Sequence, residues 1–147
     1  MAMSKIVKNI TKEDWRSLGY YFDCDDINKK WIFVGSKNGL GYFNLYLEQY
    51  ILNSKNKVYG EHDHLGPYEN LRIMTNAEAK ITDSCISGTL DDFNKLKNII
   101  KTKLAEADIN SVFVIDEEFS LDNNYKLEFK IMDYGFDPAT ADIQLWE

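Results

Sequence analysis

The stretch YYFDCDDINKKWIFVGS, residues 20–36, decides how the rest of the chain is read. Tyr20-Tyr21-Phe22 and Trp31-Ile32-Phe33-Val34 are aromatic and β-branched runs around a polar, acidic turn, Asp23 to Lys30. Two such runs around a turn predict an antiparallel hairpin. The second run is apolar at every position, so both its faces need apolar cover and it belongs inside a sheet.

Amphipathic helices are expected on either side of the hairpin. Upstream, Thr11 precedes Lys12, Glu13 and Asp14. A hydroxyl that accepts a free amide, followed by acids, predicts a helix N-terminus at Thr11. Trp15 and Leu18 then share a face and Gly19 ends the helix. Downstream, Ser36 is the predicted cap of a helix over roughly Leu40 to Leu52, where Leu40, Phe43, Leu47, Tyr50 and Ile51 recur at helical spacing. Gly35 to Gly41, GSKNGLG, sits where a phosphate loop would, between strand and helix. It lacks the P-loop lysine pattern, so its glycines are expected to serve a tight turn and close packing.

Further along, EHDHLGPY (Glu61 to Tyr68) and LRIMT (Leu71 to Thr75) read as strands about a Gly66-Pro67 turn, and Ile81 to Ser87 as a weaker strand. Thr89-Leu90-Asp91-Asp92 opens the clearest helix. Phe93, Leu96, Ile99, Ile100 and Leu104 form its apolar stripe, and Lys95, Lys97 and Lys101 lie on its wet face. Val112-Phe113-Val114-Ile115 reads as a second doubly apolar strand. Tyr125, Leu127, Phe129 and Ile131 alternate with Lys126, Glu128 and Lys130, which predicts a strand with one buried and one wet face. The tail GFDPATADIQLWE is irregular, with a turn at Asp137-Pro138. No repeat or linker divides the chain. The expectation is one α+β domain over residues 1–147, a mostly antiparallel sheet packed with about three helices.

Charge narrows the functional classes. Seventeen Lys and Arg against 24 Asp and Glu give a net charge of −7, with 44% hydrophobic residues. The hydrophobic content is too high for a disordered polymer, and the negative sign disfavours nucleic acid and anionic membranes. A basic macromolecular partner fits best. No stretch is long and apolar enough for a signal peptide or a membrane span, so a reducing cytoplasm is expected. Cys24 and Cys85, outside any CxxC spacing, are expected as free thiols.

Chemistry-bearing clusters are few. His62 and His64 are the only histidines and alternate with Glu61 and Asp63. On a strand the two imidazoles share a face, so they offer a metal two ligands, or a His–carboxylate base with an acid such as Asp137. The simpler reading is a polar edge whose histidines bond across the Gly66-Pro67 turn. No GxSxG elbow and no calcium loop is present. Asp23, Asp25 and Asp26 crowd one turn, and Asp116, Glu117 and Glu118 follow the Val112 strand. These six carboxylates form the candidate partner-binding set, with Trp31, Tyr42, Tyr46 and Trp146 as candidate aromatic anchors.

The succession W-x-x-L-G-Y (Trp15 to Tyr20), W-I-F-V-G-S (Trp31 to Ser36), G-L-G-Y-F (Gly39 to Phe43), E-H-D-H-L-G-P-Y (Glu61 to Tyr68) and G-F-D-P-A-T-A-D (Gly135 to Asp142) is similar to small bacterial immunity proteins of polymorphic or contact-dependent toxin systems. The resemblance implies a non-catalytic cytoplasmic protein, without cofactor, that binds and neutralises one cognate protein toxin. It carries no toxin contact onto particular residues. The alternatives are a metal-dependent or acid–base enzyme built on His62 and His64, and a self-assembling subunit.

Overall fold

The computed structural model describes residues 3–147. In chain order its elements are α1 (Lys5–Leu18), β1 (Tyr21–Asp25), β2 (Lys30–Ser36), α2 (Lys37–Leu52), β3 (His62–Leu65), β4 (Leu71–Thr75), β5 (Lys80–Ile81), β6 (Cys85–Gly88), α3 (Leu90–Glu106), β7 (Val112–Ile115) and β8 (Lys126–Met132), with short 3₁₀ turns at Ser54–Lys57, Pro138–Ala141 and Ile143–Trp146. The α+β class and the three helices agree with the sequence.

Three helix ends show how local chemistry sets the elements. Ser36 caps α2 by accepting from Gly39 N at 3.0 Å. Gly39 has no room for a side chain, because a Cβ there would run into the Gly19 carbonyl. Thr89 caps α3 in a reciprocal box with Asp92, each side chain accepting the other's backbone N–H. Gly19 ends α1 in the left-handed region at φ 95°. The start of α1 is a correction. Ser4 caps it, and Thr11 lies inside the helix, donating its hydroxyl to the Val7 carbonyl at 2.8 Å. The acids at 13 and 14 are mid-helix, and Glu13 meets Arg16 one turn on.

The eight strands form two four-stranded sheets rather than one, in the orders β1-β2-β8-β7 and β3-β4-β6-β5. Each sheet consists of two antiparallel hairpins whose inner strands run parallel: β2 beside β8, and β4 beside β6. The first hairpin forms as expected, with Phe22 opposite Phe33; β2 is a central strand whose Trp31 and Phe33 are buried, while Ile32 and Val34 on its other face are half-buried. The Ile81 to Ser87 strand is broken by a turn into β5 and β6. Val112 to Ile115 is not interior. β7 is an edge strand, and Val112 and Val114 face solvent because no element covers that side. β8 keeps its predicted alternation.

One register level organises the first sheet. Phe22, Phe33, Phe129 and Phe113 lie side by side across all four strands. Their ring centroids are 5.6, 4.9 and 4.9 Å apart, with interplanar angles of 28°, 14° and 12°. Phe43 of α2 packs on this row at 4.9 Å from Phe33. The second sheet joins the same continuous core through Leu65, Leu71, Ile73, Ile81 and Ile86.

Candidate functional site: an acidic rim

Both acidic turns lie at the same end of the first sheet. β1 ends at Asp25 opposite Lys30, Lys30 neighbours Lys126, and Ile115 of β7 lies opposite Leu127. The chain therefore leaves β1 into Asp25–Asp26 and leaves β7 into Asp116–Glu118 on one rim. The two exits are separated by three strand spacings, about 14 Å.

The rim is braced from the second sheet. Segment 79–83, which contains β5, supplies backbone groups to both loops. Trp31 Nε1 donates to the Thr82 carbonyl at 2.7 Å, and Cys24 Sγ lies 3.8 Å from the Asp83 carbonyl. From the other loop, Ser120 Oγ donates to the Ala79 carbonyl at 2.6 Å, while Ile81 N donates to Asn123 Oδ1 at 3.0 Å. The amides of Asn124 and Tyr125 both reach the Ile81 carbonyl. The two loops are also joined directly: the Tyr125 hydroxyl donates to Asp26 Oδ1 at 2.7 Å, and beside it Lys126 N donates to the Lys29 carbonyl at 3.2 Å.

Within the rim the carboxylates have different tasks. Asp25 closes its own turn, accepting from Asn28 N at 3.1 Å and Asn28 Nδ2 at 2.8 Å, and these bonds hold it below the usual carboxylate range. Glu118 accepts from Asp116 N and faces Lys103 Nζ at 3.5 Å. Despite the opposing effect of burial, these contacts keep its carboxyl below the ordinary value. Asp26, by accepting from Tyr125, pushes that phenol up to about 12. Burial, then the Asp26 bond, pushes the Cys24 thiol up to about 12, so it stays protonated and is a poor nucleophile. Glu117 is exposed, and among the described residues its side chain makes no hydrogen bond. Asp83 and Asp122 add exposed charge beside the same loops. Among the lysines here, Lys30 is neutralised by Glu128 at 2.9 Å.

Two apolar residues also stand on the rim. Ile27, in the first turn, is 92% exposed, and Leu121, in the second loop, is 84% exposed. Each is an exposed aliphatic side chain next to one aspartate, Asp26 or Asp122. The sequence signal is an apolar residue beside an aspartate in a polar stretch, Asp26-Ile27-Asn28 and Ser120-Leu121-Asp122.

Asp23 stands apart from the other five candidates. It lies two residues up β1 and lines a small pocket with Tyr21, Tyr68 and Asp142. The four candidate anchors are not on the rim. Trp31 is in the core, and Tyr46 donates to Asp63 at 2.8 Å. Trp146 is stacked under Lys12, 3.8 Å from its ring centre, with its indole N–H on the Ala139 carbonyl. Tyr42 is exposed on α2.

His62 and His64 share one face of β3, with ring centres 5.1 Å apart. Their Nδ1 atoms are 2.9 Å from the Gly60 carbonyl and 3.3 Å from the Glu69 carbonyl, the latter spanning the Gly66-Pro67 turn as expected. Asp137 is engaged elsewhere, accepting from Arg16 Nη2 at 3.0 Å. Among the described residues no three His, Cys, Asp or Glu side chains converge as a metal site, and no helix is long and apolar enough to cross a membrane.

The chain matches no protein-family model, and no curated protein or solved structure is detectably similar to it.

Proposed function

We propose that this is an immunity protein that neutralises a basic, nuclease-like toxin by direct binding through the acidic rim. The observation that carries this reading is the rim itself: two acidic loops, held together by segment 79–83 and by the Asp26–Tyr125 bond, each presenting one exposed aliphatic side chain. A net negative charge on a braced surface, with Lys29 an exposed cation in the first turn, steers a basic partner into encounter. Apolar residues ringed by polar groups are what a partner's pockets desolvate. The carboxylates then stand where the toxin's cationic site would take a phosphate. The loops are preorganised, so little ordering entropy opposes association.

The test is binding to a basic, nuclease-like toxin domain, sought first among the products of neighbouring genes. A complex is expected whose association rate falls steeply with salt. Ile27→Ala and Leu121→Ala are each expected to weaken it by about tenfold or more, about 1.4 kcal/mol. Charge reversal at Asp25, Asp26 and Glu117 slows association. Absence of a complex at low salt, or a complex indifferent to all five substitutions, overturns the reading.

A further inference from the structure

Beside the rim, the carboxy-terminal segment folds over the outer edge of β1 and brings Asp142 into the interior. Asp142 is 3% exposed. Its Oδ2 accepts from Trp15 Nε1 at 2.9 Å and from the Tyr68 hydroxyl, to which Gln144 Nε2 donates at 2.8 Å. Among the described residues no lysine, arginine or histidine pairs with it. A buried carboxylate served only by neutral donors is an expensive arrangement unless a cation shares the site. Both donors sit on Oδ2, and among the described residues none donates to Oδ1.

Asp142 lines a cavity of about 210 Å³ together with Tyr21, Phe22, Asp23, Tyr68 and Gln144. Asp23 brings a second carboxylate, and it is exposed. The two acids and the two tyrosines all line the one small space, where burial, then the Asp142 hydrogen bond for Tyr68 and the Asp23 charge for Tyr21, pushes both phenols above their usual range. Trp15 backs the aromatic wall, with its ring centre 4.7 Å from that of Tyr21 and 6.0 Å from that of Tyr68.

We propose that this cavity binds a guanidinium cation, either on an arginine side chain or on a free arginine-like molecule. A guanidinium is planar, carries donors along its edges and is weakly hydrated on its faces. It can place one N–H edge on Asp142 Oδ1 and another on Asp23 while its face rests on a tyrosine ring. Ammonium lacks the flat donor edge and keeps its water more tightly. The arginine side-chain source rests on the inhibitor reading, in which that arginine is the toxin's. The chemistry of the cavity does not.

The experiment titrates the full chain with agmatine and with the blocked tripeptides Gly-Arg-Gly, Gly-Lys-Gly and Gly-citrulline-Gly at low salt, followed by backbone amide and Trp15 indole N–H chemical shifts. Saturable binding is expected for agmatine and the arginine peptide, weaker binding for lysine and none for citrulline. Asp142→Asn keeps an oxygen for Trp15 and Tyr68 but removes the charge, and is expected to weaken binding at least about tenfold. Asp23→Asn, at an exposed position, gives the same direction and carries the test if the first variant fails to fold. Tighter binding of the arginine peptide than of agmatine assigns a side-chain source, and the reverse order assigns a free cation. No saturation by either at millimolar concentration, or binding that survives Asp23→Asn and a folded Asp142→Asn, overturns the proposal. If the toxin fails to bind while the tripeptide binds, the inhibitor reading falls and the cavity assignment stands. The converse removes the cavity assignment alone.

Discussion

In the sheet of β1, β2, β8 and β7, four phenylalanines at one register level stack across every strand. In the sheet of β3, β4, β6 and β5, the matching stabilisation at one end of the sheet is polar. The hydroxyls of Tyr50 and Thr75 are 2.8 Å apart, Thr75 donates to the Asn56 carbonyl at 2.6 Å, and Asn56 Nδ2 donates to the Tyr50 carbonyl at 2.9 Å. The strand scheme is the same and the forces differ. Ring packing tolerates no missing volume but is indifferent to pH. A hydroxyl network loses most when a member is stranded, and Asn56 Oδ1 is already buried without a partner among the described residues; the network fixes α2 and the 3₁₀ turn at Ser54–Lys57 relative to β4. The candidate rim is built on the first kind of sheet, where its loops are anchored to a close-packed row.

The comparison is broken most severely at Phe129, which touches Phe33, Phe113 and Phe43. Phe129→Ala is expected to cost about 3–5 kcal/mol, read as a lowered denaturant midpoint. A loss below that range would mean that the row repacks. Next comes Thr75→Val, similar in shape, which strands the Asn56 carbonyl and removes a partner of Tyr50. About 1–3 kcal/mol is expected. Hydrogen exchange should quicken in β3, β4 and β6 before β1, β2 and β8, and uniform quickening would refute the division between sheets. Tyr46→Phe deletes only the bond to Asp63, and a smaller loss of about 0.5–1.5 kcal/mol is expected by thermal unfolding.

The smallest effect is at the periphery of the first sheet, where Arg16 and Asp137 tie the carboxy-terminal segment to α1. The Arg16 bond holds the Asp137 carboxyl below its ordinary value of 3.8. The folded state therefore binds that proton less readily than the unfolded chain. The resulting stability is present above 3.8 and is lost as the pH falls through the lower, folded value. Asp137→Asn keeps an acceptor for Ala139 N, at 3.0 Å from Asp137 Oδ1. It is expected to lose less than about 1 kcal/mol at pH 7, because the pair is partly solvated. Thermal unfolding at a series of pH values should show the gap between variant and parent narrowing below 3.8. A gap that widened there would contradict the assignment.

How much of this was legible in the sequence follows from distance along the chain. The hairpin at residues 20–36, the caps at Ser36 and Thr89 and the alternation of β8 are local patterns, and each forms as read. Thr11 misleads because a hydroxyl followed by acids is also compatible with a helix interior, and Ser4 upstream takes the cap. The two-sheet division and the exposure of β7 depend on which strands meet, which no short window encodes. The same holds for the candidate sites. Both acidic turns are visible as composition, but their shared rim exists only because β2 and β8 pair between them. Asp142 looks like any tail carboxylate until Trp15, 127 residues away, bonds to it.

The parallel pairing of β2 with β8 has a kinetic consequence. Trp31 and Leu127 are neighbours across strands about 100 residues apart in the chain, while the whole of the other sheet is formed by residues between them. Closing so large a loop is slow unless the intervening chain is already compact. The order of assembly is therefore nested: residues 62–88 can pair among themselves early, and the outer hairpins meet last. A ribosome-bound chain exposes the first acidic turn long before the second exists. The surface proposed to meet a partner is completed in the final closing step, so a half-made molecule has no binding activity to misdirect.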